Sequence, residues 1–300
     1  MQQPSTGQNP RLKASDFDPD ILALFDKYVH GIIDRRGFIA AAGASGAALL
    51  AALSPDFARA QKVSPSDPAI KTEYQEYSSP KGYGKARAYV ARPSSASGPL
   101  PVIIVAHENR GLNPHIEDIA RRLALAGYIA FAPDALFNLG GYPGDEDKAR
   151  DMFGQLDQAK VIEDFVAGAH VAMKLPGSNG RLGAVGFCWG GGTVNTLATR
   201  VPELRAVVPF YGLPPELDKV PNIKAELLTL FAGEDQRVDS AWPAYQSALG
   251  KAGVRFHTRT FPGVQHGFNN DTTPRYDDKA ASEAWGMTMA LFDRTLKKPA

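Results

Sequence analysis

The chain holds one cysteine in 300 residues, and it sits in "AVGFCWGGG", Ala184 to Gly192. An apolar run from about Arg181 to Phe187 leads into it. The stretch "GGGTVNTLATR" leads out and reads as a helix entered through glycines. A strand, a tight turn and then a helix is the setting of a nucleophile elbow, G-x-nucleophile-x-G. Gly186, Cys188 and Gly190 occupy its three fixed places. The turn at the nucleophile is strained, and side chains two residues away would collide with it, so glycine belongs at both. The helix N-terminus that follows favours a thiolate and a developing oxyanion. A lone cysteine is more often a small buried hydrophobe, so the rest of the chain must supply the partners of a nucleophile.

Two partners stand where they are needed. Asp235 follows the apolar run "LLTLFAG", and His266 follows "FHTRTFPGV". The order nucleophile, acid, histidine is that of α/β-hydrolase triads. The histidine would take the thiol proton and later protonate a leaving group, while the aspartate fixes its tautomer. Glu234 and Asp239 are rivals of Asp235; Glu234 points elsewhere, and Asp239 suits a helix N-cap. His30 precedes the segment read below as an export signal. His115 and His170 fall in predicted helices, and His257 lies inside a strand. His107 ends a strand and stays a candidate. The loop "HENRGLN", His107 to Asn113, closes the strand "PVIIVA". In this arrangement that loop gives the second oxyanion donor, which pairs the N–H of Asn109 with that of Trp189.

These residues need a sheet to hold them. "KTEYQEYSS" and "KARAYVARP" read as an opening strand pair. "PVIIVAH", "YIAFAP", the elbow strand, "RAVVPFYG", "AELLTLFAG" and "VRFHTRTFP" follow as strands. Helices are expected between them: His115 to Ala126, one or two across Asp145 to Leu175, one after the elbow, Ser240 to Ala252, and Ala280 to Lys297. The alternation implies an α/β fold of the α/β-hydrolase kind, a mostly parallel sheet with helices on both faces. Sites in such sheets form at the carboxyl ends of the strands.

Composition narrows the function. A hydrophobic content of 44% allows a full core, and a net charge of +1 gives no case for nucleic acid. One cysteine excludes an intramolecular disulfide framework and a cysteine-based zinc cluster; no metal and no cofactor are expected. Near the N-terminus, Arg35-Arg36 precede an apolar run from about Phe38 to Leu53 and then Ala58-Arg59-Ala60. This order resembles a twin-arginine export signal. It divides the chain into residues 1–60, with the signal, and a catalytic domain over 61–300. It implies the twin-arginine machinery as a partner and a periplasmic or secreted protein. Before the arginines, Leu24, Phe25, Tyr28, Ile32 and Ile33 have helical spacing.

"HENRGLN", "GFCWGG", "AGEDQRV" and "GVQHGF", in that order and spacing, resemble the dienelactone hydrolases, or carboxymethylenebutenolidases. The resemblance runs from about Glu73 to Leu296. It implies an α/β-hydrolase fold, no cofactor, and hydrolysis of a small ester or lactone through an acyl-enzyme. It implies Cys188 as nucleophile with Asp235 and His266. It also makes Glu108 the acid that holds the resting thiol, within hydrogen-bond reach of sulfur. A carboxylate there should keep the thiol mostly protonated unless His266 is charged and well placed. The family's dienelactone-specific members hold a substrate carboxylate with arginines. Here Asn269-Asn270 follow "HGF", and the candidates are Arg110, Arg150 and Arg275. Two other readings fit the fold: a non-enzymatic binding protein, and a thiol-redox protein, which would lack a resolving cysteine.

Overall fold

The computed structural model describes residues 12–297. Eight strands form one sheet: β1 (Ile70–Ser79), β2 (Gly84–Pro93), β3 (Leu100–Ala106), β4 (Ile129–Pro133), β5 (Ser178–Phe187), β6 (Leu204–Phe210), β7 (Glu226–Ala232) and β8 (Phe256–Phe261). Their spatial order is β1-β2-β4-β3-β5-β6-β7-β8. The β1–β2 and β2–β4 pairings are antiparallel, and all the others are parallel. The mostly parallel α/β-hydrolase sheet expected from the sequence is therefore present.

The apolar runs are continuous because both faces of the sheet are covered. Strand β3 shows the two-residue period. Ile103 and Val105 enter one core with Ile116, Ile119 and Phe292, while Val102 and Ile104 enter the other with Phe165, Val194 and Leu227. Eleven α-helices are described: α1 (Pro19–Val29), α2 (Arg35–Ala41), α3 (Gly46–Leu53), α4 (Phe57–Ala60), α5 (Pro114–Leu125), α6 (Glu146–Phe153), α7 (Gln158–Met173), α8 (Trp189–Arg200), α9 (Gln236–Asp239), α10 (Trp242–Ala252) and α11 (Asp278–Phe292). Several begin where capping chemistry predicts. Asn113 accepts from Ile116 N–H at the start of α5, with Pro114 at the first helical position. Asp157 and Asp277 cap α7 and α11 in the same way.

One sequence expectation shifts at the carboxyl end of β7. Asp239 is not an N-cap; it ends the short helix α9. The residue that caps α9 is Asp235, which accepts from Val238 N–H.

Helices α1 to α3 have a small core of their own: Leu22, Phe25, Tyr28, Phe38, Leu50 and Leu53. This group is tied to the main body. Asp56 N–H donates to the Thr272 carbonyl at 2.8 Å, and Val63 N–H donates to Asp118 at 2.8 Å. Among the described residues no helix is long and apolar enough to cross a membrane.

Candidate active site

Cys188 joins β5 to α8 at φ +56°, a left-handed conformation unusual for any residue but glycine. The neighbouring glycines make that turn possible. A Cβ on Gly186 would sit 2.0 Å from the Gly190 carbonyl oxygen. A Cβ on Gly190 would sit 2.2 Å from the Ala106 carbonyl oxygen and 2.5 Å from that of His107. All these obstacles are backbone and cannot rotate away. The elbow is therefore pressed against the end of β3, the strand whose loop must face the sulfur.

His266 and Asp235 reach the same point from the loops after β8 and β7. Nδ1 of His266 is hydrogen-bonded to Asp235 Oδ2, and both side chains are buried. This leaves Nε2 of His266 with no hydrogen-bond partner among the described residues. The sulfur, a nitrogen of His266 and a nitrogen of His30 lie within 4.8 Å of one another. Burial alone would push the Cys188 thiol up. The charge of His266, and then the hydrogen bond and charge of His30, outweigh it and bring the thiol down to about 6. Burial also opposes charge on His266, but the sulfur and Asp235 raise it to about 10. The resting pair is thus thiolate and imidazolium, the exception the sequence argument allowed for. Sulfur and two imidazoles are also donor types that zinc takes.

Glu108 does not hold the thiol. It lines the same cavity, but its Oε2 accepts from Asn270 Nδ2 at 2.8 Å, and the sulfur's hydrogen-bond partner among the described residues is His30. The expected Glu108–sulfur hydrogen bond is a misreading of the loop: Asn270, two residues past "HGF", claims the carboxylate first. The proposed oxyanion donors are suitably free. Trp189 is the first residue of α8, so its N–H has no intrahelical acceptor. Asn109 N–H donates to no acceptor among the described residues. His107 is structural. It accepts from Ala135 N–H, stacks on the Trp189 ring at 5.3 Å, and burial lowers it to about 4, so it stays neutral.

The side chain that the sequence reading set aside is His30. Its Nε2 lies 3.9 Å from the sulfur. Nδ1 is 2.8 Å from the Asp26 carbonyl and 3.3 Å from its carboxylate. Burial opposes charge on this ring too, but Asp26 and the sulfur outweigh it and raise its pKa. Arg237 Nη2 sits 2.9 Å from the same Nε2. Neutral His30 accepts from Arg237, whereas charged His30 donates to sulfur. The signal for His30 was the helical spacing just before it; α1 ends at Val29 and delivers His30 as its C-cap. Tyr211 was missed as well. It is buried at φ +39°, and its ring packs 4.8 Å from that of His266.

The three arginine candidates all meet α1. Arg110 donates to the Val29 carbonyl at 3.1 Å, and Arg150 donates to that of Tyr28 at 3.1 Å. Arg275 lies 3.6 Å from Asp26 and over the Phe25 ring at 5.2 Å. Arg110 and Arg275 line the cavity at the sulfur; Arg150 stands behind α1.

Comparison with known proteins places this geometry. The sequence model of the dienelactone hydrolase family matches residues 86–296. The chain belongs to the dienelactone hydrolase family. It is a hydrolase on the α/β-hydrolase fold. A protein named "Putative carboxymethylenebutenolidase" from Escherichia coli K12 is 33% identical over 220 residues, covering 68% of this chain and 81% of its own length. "Putative hydrolase fragment YghX" from the same organism is 53% identical over 110 residues, 37% of this chain and 94% of that one. A crystal structure titled "Putative Dienelactone Hydrolase" from Klebsiella pneumoniae superposes with a TM-score of 0.66 at 30% identity, covering 75% of this chain and 99% of that one. Residues 8–47 match a separate family described as YqhI-like. His30 therefore reaches a dienelactone hydrolase site from outside the part of the chain that the hydrolase family describes.

Proposed function

We propose that this dienelactone hydrolase relative is a cysteine-dependent hydrolase of a small ester or lactone, working through an acyl-enzyme. One observation carries the reading: a buried sulfur on a strained elbow faces an imidazole that a buried aspartate orients. The names of the matched relatives supply the substrate class. In the proposed cycle the Cys188 thiolate adds to the carbonyl carbon. The oxyanion takes hydrogen bonds from the N–H groups of Trp189 and Asn109. His266, already carrying the thiol proton, gives it to the leaving alkoxide as the C–O bond breaks. Neutral His266 then takes a proton from water, the hydroxide adds to the thioester carbonyl, and the C–S bond breaks to release the acid and restore the thiolate. Asp235 holds the ring and offsets its charge in both halves.

The test is turnover of a panel of aryl esters and lactones by wild type and Cys188→Ala, with mass spectrometry of the wild type during turnover. An acyl adduct on Cys188 and loss of turnover in Cys188→Ala are expected. Undiminished hydrolysis by Cys188→Ala would name another nucleophile.

The twin arginines, the apolar run and the small residues ending at Ala60 support a second proposal. The chain is exported by the twin-arginine route to the periplasm or beyond, and is cleaved after Ala60.

A further inference from the structure

Cys188 opens onto two spaces that differ in size and in the charged residues that line them. On one side, beneath α1, lies a cavity of about 50 Å³ bordered by Glu108, Arg110, Asn270, Arg275 and Phe25. On the other lies one of about 420 Å³, walled by Ile162, Trp189, Tyr211, Leu213 and Pro214, with His30 standing at its edge. A single water needs about 10–15 Å³ on this measure, so the first space takes a few waters and not a substituted ring.

The charges explain why the smaller space is filled. Helix α1 points its C-terminus, the negative end of its dipole, at the arginines. The Tyr28 and Val29 carbonyls accept from Arg150 and Arg110, and the Asp26 carboxylate faces Arg275. The end of α1 thus presents an anion-like surface to three cations that would otherwise face the sulfur's cavity or stand behind it. With α1 seated, a substrate carboxylate finds little room there: Nε of Arg110 and Nε and Nη1 of Arg275 have no hydrogen-bond acceptor among the described residues, but the Asp26 carboxylate already stands 3.6 Å from Arg275 and that of Glu146 3.7 Å from Arg110. The larger cavity offers a carboxylate little, since the His30 imidazole at its edge is already engaged by Asp26 and the sulfur. Its one guanidinium, that of Arg237, is exposed and lies against His30.

We propose that the chain with α1 in place acts on uncharged esters, seating an apolar group in the cavity between Ile162, Trp189, Leu213 and Pro214. This rests on the reading of Cys188 as nucleophile and goes beyond it by naming the substrate class. Burying a carboxylate without a partner is costly, while burying a methylene chain is favourable.

The test compares p-nitrophenyl hexanoate with mono-p-nitrophenyl adipate, which differ in having a methyl or a carboxylate at the far end. For the full chain, kcat/KM should favour the hexanoate by about tenfold or more. Leu213→Arg, at a position 42% exposed, places a cation on the cavity wall and should narrow that ratio. Equal or better hydrolysis of the adipate ester by wild type would overturn the proposal, the more directly if Arg237→Ala abolished the adipate activity. A ratio unmoved by Leu213→Arg would overturn the assignment of the cavity. Cys188→Ala is run on both esters. If it keeps turnover, the failure belongs to the nucleophile and not to the substrate class.

Discussion

At the scale of single residues, the site is decided by the sign of charge around one sulfur. A thiol buried among apolar groups is inert, and a thiol between two imidazoles is not. The Cys188 thiol sits at about 6 and His266 at about 10, so the thiolate–imidazolium pair should persist between those limits. The sign is definite. Below about 6 the sulfur takes up its proton and loses reactivity; above about 10 His266 loses the proton it must give to the leaving group. Alkylation by iodoacetamide should therefore rise through a midpoint near 6, well below that of an ordinary cysteine. His30→Gln removes one of the two imidazoles and should raise that midpoint by about one unit, the low end of what a neighbouring charge does. Glu108→Gln should leave it in place, since Glu108 bonds to Asn270. A wild-type midpoint near 8 or 9, or the same midpoint in wild type and His30→Gln, would refute this account of the sulfur.

At the scale of elements, the elbow is the least tolerant part of the molecule. Gly190 lets α8 start against the carbonyls of Ala106 and His107. Gly190→Ala forces a methyl into two backbone oxygens and should cost about 3 kcal/mol or more, the upper range for overpacking. Thermal denaturation measures it; a melting temperature within a degree or two of wild type would show that β3 and β5 can part more easily than argued. This scale also explains what could be read in the chain beforehand. The strands announced themselves because sheet faces buried on both sides demand unbroken apolar runs, as at Val102–Ala106 and Ile129–Ala132. Cys188, Asp235 and His266 were legible because each follows such a strand, and parallel strands put their ends together. Asp235 was legible as an acid but not as the cap of α9, because a four-residue helix leaves no periodicity. His30 was legible as the end of a helix and not as a partner of the sulfur. Its contact with Cys188 spans 158 residues, and no local pattern encodes a partner at that distance. The same holds for the arginines: they read as candidate carboxylate binders, yet their partners lie on α1.

At the scale of the whole molecule, one segment carries two claims. The proposed export leader is residues 1–60, and its described part, 12–60, packs on the site in the folded chain. Both can hold in succession. Arg35 keeps 60% of its side chain exposed, so a twin-arginine receptor has something to read while α1 is docked. Phe38 and Leu50 are buried, and so is Ala60, where cleavage is proposed. A peptidase cannot reach Ala60 until α4 lifts from the body, and lifting it loosens the chain that holds α1. Cleavage would then remove Asp26, the Tyr28 and Val29 carbonyls, and His30 together. Arg110 and Arg275 would be left facing the sulfur's cavity without these partners, and the 50 Å³ space would open. The prediction has two parts. Protein recovered from the cell envelope should begin at Gln61, as read by N-terminal sequencing. Compared with the full-length chain, it should gain kcat/KM on a carboxylated ester such as mono-p-nitrophenyl adipate by about tenfold or more, because a buried carboxylate regains charged partners. Its alkylation midpoint should move upward as His30 leaves. Protein that stays in the cytosol with Met1 in place would end the export proposal. Envelope protein beginning at Gln61 with an unchanged ester preference would show instead that α1 does not govern which substrates reach Cys188.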